Sequence, residues 1–296
     1  MKDYLRWLLL IKFETMLRRS SLALLRVGAS LLAICQYLFY SNARRTIRHG
    51  LARDLQLTAV RRESAVVGSF YHHLLNDLEL MKYPLIDGGF VKRHVTLTGS
   101  GWDYLQTQDE RRALLVTYHF GPNQIIIPVL PVLGIRFTQI GVPPSYWDTL
   151  VSGGAKMQEV NRKRTANLEG TRATFIYVSE GLGSLKKTFQ AIQNGGVVCV
   201  AGDGRIGDHQ KFPFLRGTID IALGGFKLAE RFSLPLITVI SLRTKSGYLI
   251  DMQGPSFVGE SNLAEIIHRS VSDLERCTGQ HPEQYGWMYY AKAVGG

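Results

Sequence analysis

The chain has 296 residues, 45% hydrophobic and 20% charged, enough to bury a substantial core as one large domain or two small ones. Its 35 Lys and Arg against 24 Asp and Glu leave a formal net charge of +11, so its field favours anionic partners such as phospholipid headgroups, an acidic carrier protein or nucleic acid. Three widely spaced cysteines, Cys35, Cys199 and Cys277, exclude a disulfide framework and a zinc pattern, which suits a reducing, cytoplasmic compartment.

No secretory signal reads cleanly, because the first apolar run, Trp7 to Ile11, is short and runs into charged residues. Residues 1–19 interleave Tyr4, Trp7, Leu8, Phe13 and Leu17 with Lys2, Arg6, Lys12, Arg18 and Arg19, a basic helix with an aromatic side. Ser21 to Tyr40 is the most apolar long segment and is barely long enough to span a bilayer. Both its flanks are basic, so charge gives no orientation; a helix seated on the membrane surface is the favoured setting and a helix covering the core the alternative.

Asn42 to Tyr83 is helical in period, with Thr58 as a cap between two helices and Pro84 as the stop. His72 and His73 are adjacent there and cannot face one ligand, so neither is a metal candidate. Phe90 to Leu97 alternates as a strand would, and Thr98 to Gly101 turns into a short helix. Ala113 to Tyr118 is an apolar run of the kind found in buried parallel strands, ending abruptly at His119, Phe120, Gly121 and Pro122. Asn123 and Gln124 then open a helix, and carboxyl ends of parallel strands are where ligands collect, so His119 is the first candidate for chemistry.

Farther on, Pro128 and Pro131 interrupt an apolar stretch, Arg136 to Val142 reads as a strand, and Trp147 to Leu168 as a helix after a Gly153–Gly154 hinge. Thr174 to Val178 and Val197 to Ala201 are strands around a helix from Gly183 to Asn194, and Val197 to Ala201 exits into Gly202, Asp203, Gly204 and Arg205. Thr218 to Phe232 is expected as a helix, Leu236 to Leu242 and Tyr248 to Met252 as strands, and Ser261 to Cys277 as a last helix before the tail HPEQYGWMYYAKAVGG. Strands alternating with helices predict an α/β fold, a mostly parallel central sheet flanked by helices behind a helical N-terminal membrane-associating arm, with residues 1–40 as the arm and 41–296 as the domain. No G-x-S-x-G elbow surrounds Ser179 or Ser184, GDGRIG does not match a dinucleotide loop, and no phosphate-binding Walker sequence occurs.

Three pieces coincide: the strand-end histidine of HFGPNQ, the strand-end Asp203 followed by Phe214, Leu215, Arg216, Gly217 and Thr218, and the tail HPEQYGW. Together they resemble the lysophospholipid acyltransferase superfamily, and within it the lipid A lauroyl and myristoyl acyltransferase branch, from about Tyr40 to Met288. The resemblance implies that His119 is the catalytic base, taking a proton from an acceptor as it attacks an acyl thioester. The family's acid falls on Gln124, which can hold the ring but carries no charge. Three explanations stay open: another acid, with Asp203 the candidate, takes its place; the acceptor is an amine needing less help from a base; or catalysis is lost.

The resemblance further implies substrate contacts from Asn123, Arg205, Phe214, Arg216, Gly217 and Thr218, the two arginines holding a headgroup phosphate or a carrier phosphopantetheine. In the tail, Tyr289 and Tyr290 replace the family's basic pair. The expected activity is an acyltransferase moving an acyl group from an acyl carrier protein or coenzyme A thioester to a lipid or glycolipid at the cytoplasmic face of the inner membrane. The alternatives are an aminoacyl or N-acyl transferase with a carrier-bound donor and a catalytically silent lipid-binding homologue. No metal and no bound cofactor is expected; the partners are an acyl or aminoacyl carrier protein and anionic membrane lipid, and nucleic acid is set aside for want of any accompanying module.

Overall fold

The computed structural model describes residues 7–108, 111–143, 154–178, 182–259 and 261–294. The expected helical stretch from Trp147 to Gly153, and Ser179, lie outside the described residues. In chain order the helices are α1 (Glu14–Arg19), α2 (Leu22–Phe39), α3 (Ser41–Asp54), α4 (Ala59–Leu80), α5 (Gly88–His94), α6 (Ser100–Thr107), α7 (Ile126–Val132), α8 (Ala155–Glu169), α9 (Leu182–Gln193), α10 (Gly224–Arg231), α11 (Leu263–Gln280), α12 (Pro282–Tyr285) and α13 (Trp287–Val294). The strands are β1 (Val95–Thr98), β2 (Ala113–Thr117), β3 (Phe137–Gly141), β4 (Thr174–Tyr177), β5 (Val197–Ala201), β6 (His209–Phe214), β7 (Gly217–Ala222), β8 (Pro235–Arg243) and β9 (Tyr248–Phe257).

Seven strands form one sheet in the order β1-β9-β8-β2-β5-β3-β4. β8, β2, β5, β3 and β4 run parallel to one another, while β9 is antiparallel to β8 and parallel to β1. The mostly parallel α/β sheet expected from the alternation of elements is therefore present. Every residue of β2 and β8 is buried, which is why both read as continuous apolar runs instead of alternating ones. Leu114, Val116 and Tyr118 enter a core with Phe226 and Leu274, whereas Ala113 and Leu115 face the opposite core with Ile127 and Leu130.

Two expectations give way. Thr218 to Phe232 is not one helix: Thr218 lies on β7, which pairs with β6 as an antiparallel hairpin, and α10 begins only at Gly224. The reason is legible in period 2, since Phe212, Phe214, Ile219 and Ile221 are buried while Lys211, Thr218 and Asp220 face water. Phe90 to Leu97 splits into α5 and β1, because the Asp87 carboxylate accepts the Phe90 N–H at 2.7 Å and caps a helix whose last turn carries Lys92, Arg93 and His94.

A third core joins the N-terminal helices. Ala29 and Ala33 of α2 pack with Ile47, Leu51, Val66 and Phe70 of α3 and α4, and Ser21 caps α2 by accepting the Leu24 N–H at 3.2 Å. Arg26, the one charged residue within α2, donates to the backbone carbonyls of Lys245 and Gly247 at the β8–β9 turn, at 2.5 and 3.2 Å. The opposite face shows water an unbroken apolar stripe, Leu24, Val27, Leu31, Ile34, Leu38 and Phe39, each at least half exposed.

Candidate active site

β2 and β5 are neighbours in register, Thr117 opposite Ala201, so the chain two residues beyond each arrives at the same place on the carboxyl edge of the sheet. Those residues are His119 and Asp203. The Asp203 carboxylate stands 2.9 Å from His119 Nδ1 and also accepts the His119 backbone N–H, at 3.1 Å to each oxygen. Asp203 is 3% exposed and the His119 side chain 40%, so the carboxylate is sealed while the imidazole keeps contact with solvent.

The electrostatics follow from that contact. The charge of Asp203, opposed by burial and reinforced by the hydrogen bond, raises His119 above its ordinary value. Burial alone would push Asp203 upward, but the His119 charge and its side-chain and backbone hydrogen bonds hold the carboxyl below its usual range. With Nδ1 satisfied by a carboxylate, the tautomer that leaves Nε2 as a basic lone pair is the favoured one.

Two glycines let the backbones meet. At Gly202 an added Cβ would lie 2.8 Å from Val116 Cγ1 and 2.9 Å from Tyr118 Cε1, so only glycine admits Asp203 to this position. Gly121 has φ +54°, and an added Cβ would strike the Ser241 carbonyl and come within 2.8 Å of Gln284 Oε1. The Gly121 N–H donates to the Gln284 carbonyl at 3.1 Å. The Gln284 side chain in turn brackets β8, accepting the Arg243 N–H at 2.9 Å and donating to the Arg243 carbonyl at 3.0 Å.

Arg243 anchors this edge from below. Its buried guanidinium donates to Glu79 at 2.7 and 2.9 Å, to Asn76 at 2.6 Å and to His72 Nδ1 at 3.0 Å. Burial, with the Arg243 charge beside it, holds His72 well below its ordinary value, so it serves as a neutral acceptor in the core.

The other sequence candidates disperse. Asn123 and Gln124 begin a single 3₁₀ turn, both half-buried, and the Gln124 amide has no hydrogen-bond partner among the described residues. Arg205 is exposed and donates to the Ala291 carbonyl at 3.3 Å. Phe214 is buried against Tyr285 in the core, with ring centroids 5.5 Å apart. Arg216, Gly217 and Thr218 are exposed at the hairpin's tip, whereas its open end, at Ala222, bonds to the Gly202 carbonyl. Five strand steps, about 17 Å along β7, separate Gly217 from Ala222. Sequence reasoning missed Gln284, quoted only as part of a tail motif, and Lys292, whose ammonium donates to the Tyr285 hydroxyl at 3.2 Å and whose charge reaches both Asp203 and His119. Among the described residues no group of three or more His, Cys, Asp or Glu could hold a metal ion.

An imidazole backed by a sealed carboxylate and open on its other side can remove a proton from a nucleophile and return it to a leaving group. A sequence model of the family described as bacterial lipid A biosynthesis acyltransferase matches residues 86–290, the span holding the whole sheet and both members of the dyad. No curated protein matches the chain.

Proposed function

The chain belongs to the bacterial lipid A biosynthesis acyltransferase family, and from that membership we propose that it moves an acyl group from a carrier-protein or coenzyme A thioester to the hydroxyl of a lipid or glycolipid at the cytoplasmic face of the inner membrane. The observation that carries the reading is the 2.9 Å contact between Asp203 and His119 Nδ1 beneath an exposed ring. In the proposed step His119 Nε2 takes the acceptor's hydroxyl proton as that oxygen bonds to the thioester carbonyl carbon. The C–S bond then breaks and the departing sulfur receives the proton from the imidazolium. Asp203 orients the ring and offsets the positive charge while the proton is held.

The buried Asp203 carboxylate, two residues beyond β5, supports a hydroxyl acceptor over an amine acceptor or a silent homologue, because it offers Nδ1 the negative charge that Gln124 lacks. Membrane attachment is supported by α2, whose apolar stripe faces outward while Arg26 ties the helix to the domain. That arrangement favours a helix lying on the bilayer over one crossing it. The test is mass spectrometry of the full chain incubated with acyl carrier protein and coenzyme A thioesters and a panel of hydroxylated lipids. Acyl transfer that His119→Ala abolishes is the expected result; transfer that survives this substitution would overturn the assignment of the base.

A further inference from the structure

The sheet loses a strand beside the dyad. β2 and β8 pair in parallel as far as Thr117 opposite Val239, and there β2 turns out of the sheet while β8 runs on to Arg243. Buried backbone groups of β8 beyond that pair need new partners. At Arg243 the Gln284 side chain provides them: its carbonyl accepts the Arg243 N–H at 2.9 Å and its amide donates to the Arg243 carbonyl at 3.0 Å. One amide thus does for Arg243 what a neighbouring strand does farther back. Glutamine suits the place because acceptor and donor lie side by side on one planar group, an arrangement that neither an ionised carboxylate nor an aliphatic chain offers.

The residue to which Gln284 is tied is itself held fast, since the buried Arg243 guanidinium is committed to Glu79, Asn76 and His72 on α4. The main chain of Gln284 faces the other way, its carbonyl accepting the Gly121 N–H at 3.1 Å. The turn it meets is tight: the Phe120 N–H donates to the Tyr118 carbonyl at 2.7 Å, and Gly121 holds φ +54°. Asp203 grips that turn at His119, and Gln284 grips it two residues on, at Gly121. A turn attached only at residue 119 would be free to pivot about it. The second attachment fixes the direction in which the imidazole leaves the backbone, the kind of support a catalytic group needs to stay in its productive geometry.

We propose that Gln284 is a positioning residue for His119, its side chain locking α12 onto the end of β8 and its main-chain carbonyl holding the turn that presents the imidazole. The inference rests on the proposed acyl transfer, in which His119 is the base, and adds to it a residue that acts through the turn and not on substrate.

Gln284→Met keeps the length and bulk of the side chain and removes both hydrogen bonds to Arg243. Acyl-transfer kinetics and amide hydrogen exchange followed by mass spectrometry, both on the full chain, separate aim from stability. kcat is expected to fall about ten- to a hundredfold with KM within about twofold of native, as follows when a catalytic group is slightly misplaced. Exchange is expected to quicken about tenfold or more in residues 118–124 while β2 and β5 keep native protection. Gln284→Glu, which retains an acceptor for the Arg243 N–H, is expected to recover part of both effects. Native kcat in Gln284→Met, or exchange that is unchanged in the turn or quickened evenly across the sheet, would overturn the inference. If exchange quickens in the turn alone but the native chain transfers no acyl group to any acceptor, the reaction fails and the attachment at Gly121 stands.

Discussion

His119 and Asp203 are joined twice, once through the imidazole Nδ1 and once through the backbone N–H of the histidine itself. The second bond makes the carboxylate part of the turn it serves, so the acid and the ring cannot drift apart without breaking the strand end. Asp203→Asn is expected to lower kcat by about 10³- to 10⁴-fold, as amide replacement does in triads, with far-ultraviolet circular dichroism unchanged. Gln124→Glu is expected to alter turnover by less than about threefold, because Nδ1 already has its carboxylate. A gain of about a hundredfold in Gln124→Glu would return the acid's role to the position after the turn.

The pH profile carries the same relationship. A base works only when neutral, and Asp203 raises His119, so kcat/KM is expected to climb with pH through a value above the ordinary histidine pKa of about 6.5. Stability moves differently. The raised His119 contributes below its unfolded pKa of about 6.5 and loses that contribution as pH rises through the folded value. The depressed Asp203 contributes above about 3.9 and loses that contribution as pH falls through its own folded value. The difference in melting temperature between the native chain and His119→Ala is therefore expected to be largest between about pH 4 and 6.5.

Gly121→Ala forces an L residue into φ +54° and sets its Cβ against the Ser241 carbonyl and Gln284. A cost of about 1–3 kcal/mol is expected, seen as a lowered denaturation midpoint with an unchanged m-value. Turnover is expected to fall as well, because the turn that aims His119 is the part displaced. Native stability in this variant would show that the turn relaxes freely.

The outward stripe of α2 gives a surface test. Leu31→Glu with Leu38→Glu places charge on the outward face of α2, at residues 63% and 58% exposed, so thermal stability is expected to hold. Flotation with vesicles containing anionic lipid is expected to drop by about tenfold or more. Undiminished flotation would place membrane contact elsewhere.

The strand ends were legible in the chain because β2 and β5 are buried on both faces and write themselves as ALLVT and VVCVA. Their adjacency was not, since strand order depends on which crossovers close, and residues 119 and 203 meet only because Thr117 and Ala201 share a register. The helix expected from Thr218 gives way to β7 because buried Ile219 and Ile221 alternate with exposed Thr218 and Asp220, a period-2 signal too short to stand out before the small residues Ala222, Gly224 and Gly225. The Arg243–Glu79 pair joins residues 164 apart, a distance over which no local period carries information. Lys292 carries no local signal, being a single cation behind the aromatic run WMYY.

Gln284 joins the turn after His119 to the end of β8, yet it is supplied by nearly the last stretch of the chain. It follows that Gln284→Leu would leave every strand and both dyad residues in place while stripping two side-chain hydrogen bonds from the end of β8, so that the aim of the imidazole can be loosened without touching the sheet that carries it.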